Sequence, residues 1–336
     1  MADIEPVPMQ QRLMEYIRGK AARGQTSYSV VKLLGDASTR QYYRFVSETN
    51  QSFIIALYPE PFDPDRFAYR QVYELLDAIG VKVPSIVDID GPLGVVLQQD
   101  IGNESLQMRL RTAGSQETRT LLQQAVDNIG KIQREGTTRC RPDSEAAHLA
   151  FDVQKLSWEL DFFLNNYVKR YRDRNLAPAA EQALRDEFGR MSEEIAAAPR
   201  YLCHRDYHCR NLMVHAGQIY VLDFQDARMG PCTYDLVSLL KDSIDLGAEM
   251  SHDLVDYFRK QNAAICGSDR AGFVRLFHLT TIQRLLKALG TFGYQITTRE
   301  LYIYEQYIRG ALLRTAQSLQ VLDQFPAIEE LLSAEI

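Results

Sequence analysis

Two short apolar runs, Arg200-Tyr-Leu-Cys-His-Arg-Asp206 and Gln218-Ile-Tyr-Val-Leu-Asp223, constrain this chain more than any other feature. Each reads as a strand of a few residues, each ends on a carboxylate, and each interrupts sequence that otherwise carries helical periodicity. Around them, helical spacing runs from Leu121 to Arg134 and through Val153, Leu156, Leu160, Phe163 and Tyr167. Ile282, Leu285, Leu286 and Leu289 mark a helix that Gly290 is expected to stop, and Glu300 to Leu319 reads as a last long helix. The fold must therefore deliver two aspartates from small strands into a mostly helical body.

The first hundred residues have another texture. Met9 to Arg23 predicts an amphipathic helix closed by Gly24. Strand patterns follow at Tyr28 to Leu34, Gln41 to Val46 and Phe53 to Tyr58, across short polar links. Asp63 and Pro64 are expected to open a helix whose inner face is Val72, Leu75, Leu76 and Ile79, with Gly80 as its stop. Two further strands, Pro84 to Ile89 and Leu93 to Gln99, flank the turn at Asp90-Gly-Pro92. The expected class is α+β and two-lobed: a small antiparallel-sheet lobe over residues 1–100 and a larger helical lobe over 101–336, acting as one functional domain.

A chain of 336 residues has room for such a core. Its net charge of -6 argues against nucleic acid, whose phosphates need a basic surface. No apolar run is long enough to span a bilayer, and the acidic stretch Met1 to Gln10 lacks a signal pattern, so a cytosolic location without a membrane partner is expected. Five scattered cysteines fit reduced thiols better than a disulfide framework.

The chemistry concentrates in His204-Arg205-Asp206-Tyr-His-Cys-Arg-Asn211, with Asp223 twelve residues beyond Asn211. Phosphoryl transfer asks for such a set. One carboxylate orients the attacking hydroxyl and receives its proton, while an amide oxygen and a second carboxylate hold Mg²⁺ against nucleotide phosphates. Asp206 fits the first role, Asn211 and Asp223 the second. Zinc at Cys203, His204, His208 and Cys209 is disfavoured because adjacent Cys-His pairs lack the separated spacing of a zinc site.

The pattern H-x-D-x-x-x-x-N followed by Asp223-Phe-Gln-Asp226 resembles the protein-kinase-like fold. The segments Leu202 to Met213 and Asp223 to Asp235 resemble the aminoglycoside phosphotransferase family, and within it the bacterial cell-wall amino-sugar kinases. Gly35 to Arg44 and Gln283 to Gly290 resemble that branch as well. The resemblance implies an ATP- and Mg²⁺-dependent kinase that phosphorylates a hydroxyl of a small molecule, N-acetylmuramate or N-acetylglucosamine first. It implies Asp206 as catalytic base, Asn211 and Asp223 as metal ligands, Asp226 beside the metal, His204 packed beneath the loop and Asp235 as its brace. The loop of Gly35, Ser38, Thr39 and Arg40 is expected over the nucleotide, with Gln98 and Asp100 where adenine meets the hinge. Glu159, Gln283, Arg284 and Lys287 are candidates for the acceptor site. The tyrosines Tyr302, Tyr304 and Tyr307 are expected in the core rather than on a sugar.

One departure stands out. The lysine that grips phosphates in this fold is expected near Ala56 or Leu57, and none is there. Glu74 then lacks its partner, and either Arg40 or Arg44 substitutes or phosphate binding is weakened. Two alternatives follow: the same chemistry on an aminoglycoside, choline-like amine or other metabolite, and a catalytically silent nucleotide-binding module. A protein kinase is disfavoured, because Gly230-Pro231 comes too soon after Asp223 for a long activation loop.

Overall fold

The computed structural model describes residues 7–21, 28–33, 39–47, 49–242 and 244–335. Gly35 and Ser38 of the expected nucleotide loop lie outside the described residues. Helix α1 (Met9–Ala21) precedes three strands, β1 (Tyr28–Lys32), β2 (Gln41–Ser47) and β3 (Ser52–Leu57). Helix α2 (Ala68–Ala78) leads to β4 (Ile86–Asp90) and β5 (Val95–Gln99). The five strands form one antiparallel sheet in the order β1-β2-β3-β5-β4.

Strand alternation sorts this sheet into two faces. Tyr43, Phe45, Ile55, Leu57, Val95 and Leu97 bury against Leu13, Tyr16 and Ile17 of α1, so α1 covers the outer face. Each such large apolar side chain contributes about 1.5–3 kcal/mol when buried. Buried Arg12 pins α1 down by donating to the carbonyls of Leu93 (2.8 Å), Tyr58 (2.9 Å) and Pro59 (2.5 Å). The other face carries Tyr42, Arg44, Ile54, Ala56 and Gln98, and it looks into the cleft between the lobes.

Helix α2 starts at Ala68 rather than at Pro64. Asp63 makes a local turn instead of a cap, its Oδ1 accepting from the Asp65 N–H at 3.0 Å. The intervening residues are held by a ring cluster in which Phe62 stacks on Phe67 at 3.8 Å and Tyr58 meets Phe67 edge-on at 4.9 Å.

Beyond β5 the chain is mainly helical, around the 30-residue helix Arg270–Arg299. Gly290 therefore does not stop this helix; it sits inside it. A Cβ there would lie 2.7 Å from Phe163 Cα, so the glycine permits close approach of Val153–Phe163. The stop comes at Glu300, whose φ of 57° breaks the helical path. The last long helix then begins at Glu305, not Glu300. Two small hairpin-like sheets lie at the lobe junction: β6 (Arg200–Cys203) pairs with β9 (Arg228–Pro231), and β7 (Leu212–His215) with β8 (Gln218–Val221). Among the described residues no helix is long and apolar enough to cross a membrane.

Candidate active site

The loop after β6 is fixed from below. Asp235, fully buried at the start of helix Tyr234–Lys241, accepts from the backbone N–H of His204 (2.7 Å) and of Arg205 (3.0 Å). Burial pushes the Asp235 carboxyl above its ordinary range, against the pull of His204 and these N–H groups. The two bonds hold Arg205 at φ 85°, a left-handed backbone that a residue with a Cβ adopts at a cost. His204 is buried too, and its Nε2 donates to the Leu222 carbonyl at 2.8 Å. Turn strain and two clamps therefore aim the next residue, Asp206, into the cleft.

Register brings the other two oxygen donors alongside. Leu212 pairs with Val221, and the Leu222 N–H continues the ladder to the Asn211 carbonyl at 2.9 Å. Asn211 thus lies opposite the residue before Asp223. Its Nδ2 donates to the Asp206 carbonyl at 3.0 Å, which leaves the amide oxygen as its remaining polar atom. Asp223 itself sits at φ 61°, turning its carboxylate out of the strand direction. Asp206, Asn211 and Asp223 all line one cleft of about 760 Å³.

Asp206 is surrounded by cations. Lys287 Nζ lies 3.3 Å from Oδ1, Arg284 Nη2 3.6 Å from Oδ1, and Arg205 Nε 3.6 Å from Oδ2. Burial pushes this carboxyl up, but Lys287, Arg205 and Arg284 outweigh it and hold Asp206 well below the usual carboxylate range. The side chain is ionised at neutral pH and ready to accept a hydrogen bond from an acceptor hydroxyl. His208, lining the same space, is pushed down by burial to about 4 and stays neutral.

On the sheet wall, the cation comes from an unexpected position. The β2–β3 register pairs Tyr42 with Ala56, and continuing it by two residues places Arg40 opposite Tyr58 on the same face. An arginine is long enough to cover that distance. Arg40 lies between the rings of Tyr42 (6.0 Å) and Tyr58 (5.7 Å), pairs through Nη2 with Asp223, and donates through Nη1 to Gln225 Oε1 at 3.0 Å. Arg44 lines the cleft but is tied to Asp100 (2.6 Å) and Asn103 (2.7 Å). Glu74 faces solvent and, among the described residues, pairs with Arg70 at 2.8 Å. From α2 it is Tyr69 that turns inward, donating to Gln98 Oε1 at 2.7 Å and stacking on Phe224 at 4.6 Å.

The remaining sequence candidates separate. Gln98 lines the cleft, while the Asp100 carboxylate is taken up by Arg44, by Ser52 Oγ (2.5 Å) and by the Gly102 N–H (2.9 Å). Thr39 is exposed outside the lining. Glu159 is buried beneath the cleft, where it accepts from Gln283 Nε2 at 2.9 Å and pairs with Lys155 at 3.4 Å; neither Glu159 nor Gln283 lines the cavity. Arg284 does line it, but buried, donating to the Arg205 carbonyl at 2.7 Å and lying 3.6 Å from Asp206 Oδ1. Asp226 pairs with Arg205 Nη1 at 3.3 Å, at the cleft edge.

Sequence reasoning missed several wall residues. Tyr304 and Tyr307 pack against the helical core as expected, but Tyr304 also lines the cleft, stacked on Phe292 at 5.7 Å, and Tyr302 is exposed. Arg210 also lines it, 5.1 Å from the Tyr307 ring and 3.5 Å from Asp242. A signal was present in the stripe Arg284, Lys287, Ala288, Thr291, Phe292 and Gln295, which repeats at intervals of three and four on one side of a helix.

The donors suit a hard divalent ion. Among the described residues no group of three His, Cys, Asp or Glu side chains is placed to hold a metal ion. An Asp223 carboxylate and an Asn211 amide oxygen side by side fit Mg²⁺, which keeps water and takes phosphate oxygens for the rest of its shell.

A small sheet lobe over a helical lobe, with a clamped aspartate and two oxygen donors between them, defines the class of kinase-like phosphotransferases. Comparison with known proteins agrees: residues 29–265 match the model of the phosphotransferase enzyme family, and the chain belongs to that family. A protein from Neisseria meningitidis serogroup B named N-acetylmuramate/N-acetylglucosamine kinase is 32% identical over 77% of this chain and 76% of its own length. A protein of the same name from Pseudomonas putida is 29% identical, over 85% of this chain and 82% of its own. Among solved structures, an ADP-bound aminoglycoside phosphotransferase superposes with a TM-score of 0.58 at 12% identity, covering 90% of this chain and 98% of the other. The choline kinase LicA from Streptococcus pneumoniae gives 0.60 at 15% identity, covering 91% and 99%. At these identities the two structures share the fold.

Proposed function

We propose that this protein is an amino-sugar kinase that moves the γ-phosphoryl group of ATP onto a hydroxyl of N-acetylmuramate or N-acetylglucosamine, in the cytosol and without a nucleic-acid or membrane partner. The two lobes, residues 1–100 and 101–336, work as one unit, with nucleotide between them. Asp206 accepts the proton as the acceptor oxygen bonds to the γ-phosphorus and the β–γ bridging bond breaks, releasing ADP. Mg²⁺, held by Asn211 and Asp223, supplies charge neutralisation at the phosphates when bound. Arg40 moves its guanidinium from Asp223 to phosphate oxygens, taking the place of the missing third-strand lysine. Lys287 and Arg284 keep Asp206 ionised and fix where the hydroxyl docks.

The observation that carries the acceptor assignment, beside the relatives' names, is charge. Around Asp206, the side chains of Arg210, Arg284 and Lys287 outnumber the carboxylates of Asp206 and Asp242, and His208 is neutral. A polycationic antibiotic or a quaternary amine needs the opposite surplus. An uncharged or anionic sugar does not. An ATP-consumption screen over both amino sugars, choline and aminoglycosides, with product linkage read by ³¹P and ¹H NMR, tests this. Turnover is expected on the amino sugars alone. Turnover only on an amine, or ATP–Mg²⁺ binding with no turnover on any acceptor, sinks the proposal; the second outcome marks a silent module.

A further inference from the structure

We propose that Arg210 grips the lactyl carboxylate of N-acetylmuramate, an assignment that rests on the amino-sugar reading above and makes Arg210 a specificity-determining residue within it. Among the described residues, the cleft is lined by the cations Arg40, Arg44, Arg210, Arg284 and Lys287. Four of them are committed. Arg40 donates to Gln225, Arg44 to Asp100 and Asn103, Arg284 to the Arg205 carbonyl, and Lys287 to Asp206. Arg210 is 21% exposed, and its nearest carboxylate oxygen, Asp242 Oδ1, stands at 3.5 Å, long for a hydrogen bond. Asp242 is moreover shared with Arg284 Nη2 at 3.4 Å. Of the three Arg210 guanidinium nitrogens only Nη1 is sealed off without a partner; Nε and Nη2 keep accessible surface. Those two N–H groups form an edge that takes a carboxylate in two parallel bonds. The Tyr307 ring, 5.1 Å from the guanidinium carbon, backs this fork.

Contacts put the fork on the acceptor side of the cleft. Arg210 Nη2 meets Asp242 at 3.5 Å, Asp242 meets Arg284 Nη2 at 3.4 Å, and that same nitrogen lies 3.6 Å from Asp206 Oδ1. The path leads to the proposed base and passes neither Asp223 nor the sheet, where Arg40 stands. Three contacts and the width of one carboxylate bound the separation of Arg210 from Asp206. A hexose whose hydroxyl docks at Asp206 and whose ring carries a lactyl ether arm is of that size. N-acetylmuramate differs from N-acetylglucosamine by this arm alone, and the arm ends in a carboxylate. A neutral substituent offers the fork no charge, whereas a carboxylate offers two acceptor oxygens and a full counter-charge.

The test compares N-acetylmuramate with its lactyl carboxamide, which has the same shape without the charge. The readout is the ratio of their kcat/KM values on one enzyme preparation, from which inactive protein cancels. Wild-type enzyme is expected to favour the carboxylate at least about 10-fold. Arg210→Met is expected to bring the ratio to within about 3-fold of one, and Arg210→Lys to leave an intermediate value, since an ammonium supplies charge without the fork. An Arg210→Met ratio as high as that of the wild type overturns the proposal. A wild-type ratio near one does so without any variant, which keeps the test open if Arg210→Met does not fold. Wild-type enzyme that phosphorylates N-acetylglucosamine and not N-acetylmuramate also overturns it, while leaving the amino-sugar reading intact. Wild-type enzyme that uses neither sugar removes both.

Discussion

On the helical wall of the cleft, Asp206, Asn211 and Asp223 are placed by backbone: Asp235 clamps two N–H groups, His204 grips the Leu222 carbonyl, and the Leu222 N–H reaches the Asn211 carbonyl. On the sheet wall, a cation that meets these groups arrives on the long side chain of Arg40, just before β2 and beside the rings of Tyr42 and Tyr58. The first arrangement is rigid because each group is held by bonds to fixed main chain. The second is adaptable, since an arginine between rings can turn from carboxylate to phosphate without moving the sheet. In the proposed reaction the chemistry would sit on the rigid wall, and the charge that would follow the nucleotide on the adaptable one.

Substitutions can break this contrast. The largest effect is expected from Asp206→Asn, which keeps the shape and removes the proposed base: kcat should fall by ~10²-fold or more in a protein that still folds, with a lower melting temperature because Lys287 and Arg284 lose their carboxylate. Steady-state kinetics with a melting curve check it, and near wild-type turnover would remove the mechanism.

Next comes Arg40→Ala, expected to raise KM for ATP about tenfold, with Arg40→Lys recovering part of the loss. The same change at Arg44, tied to Asp100, should have a clearly smaller effect on KM. If Arg44→Ala proves the more damaging of the two, the phosphate grip has been placed on the wrong strand residue.

A third expectation concerns pH. Lys287, Arg205 and Arg284 depress the Asp206 pKa, so the ionised base persists as pH falls until its folded-state pKa is reached. The stability from these ion pairs is present above the unfolded carboxyl value of about 3.9 and is lost as pH drops through the folded value. Lys287→Met removes one cation, raises the Asp206 pKa and should move the acid limb of kcat/KM to higher pH. An acid limb that stays in place, or moves down, contradicts this. The smallest effect is expected at Glu74, which faces solvent and pairs with half-buried Arg70: Glu74→Ala should change kcat/KM by less than about 2-fold. A loss of tenfold or more there would mean α2 supplies a catalytic partner after all.

The catalytic loop was legible because its parts are local. Asp206 and Asn211 lie five apart on one loop and Asp223 follows the β7–β8 hairpin that starts next, so short-range geometry sets the spacing. The strand alternation in residues 28–58 likewise announced the antiparallel sheet, and apolar periodicity announced the helices. Gly290 misled because a helical glycine reads as a stop, whereas its cause is the approach of the Phe163 backbone, more than a hundred residues away. Glu159 misled for a similar reason: a charge on a helix carries no mark of the Gln283 and Lys155 partners that draw it beneath the cleft.

The sequence by itself determined the two lobes, the three oxygen donors and the absence of a lysine on β3. Only the tertiary structure decided which arginine faces Asp223, that Lys287 rather than Glu159 pairs with Asp206, and that Tyr304, Phe292 and Gln295 line the cleft. The division has a physical origin. Turn and strand chemistry act over a few residues and leave a readable spacing, whereas burial and ion pairing act through space between segments whose separation along the chain says nothing about their contact.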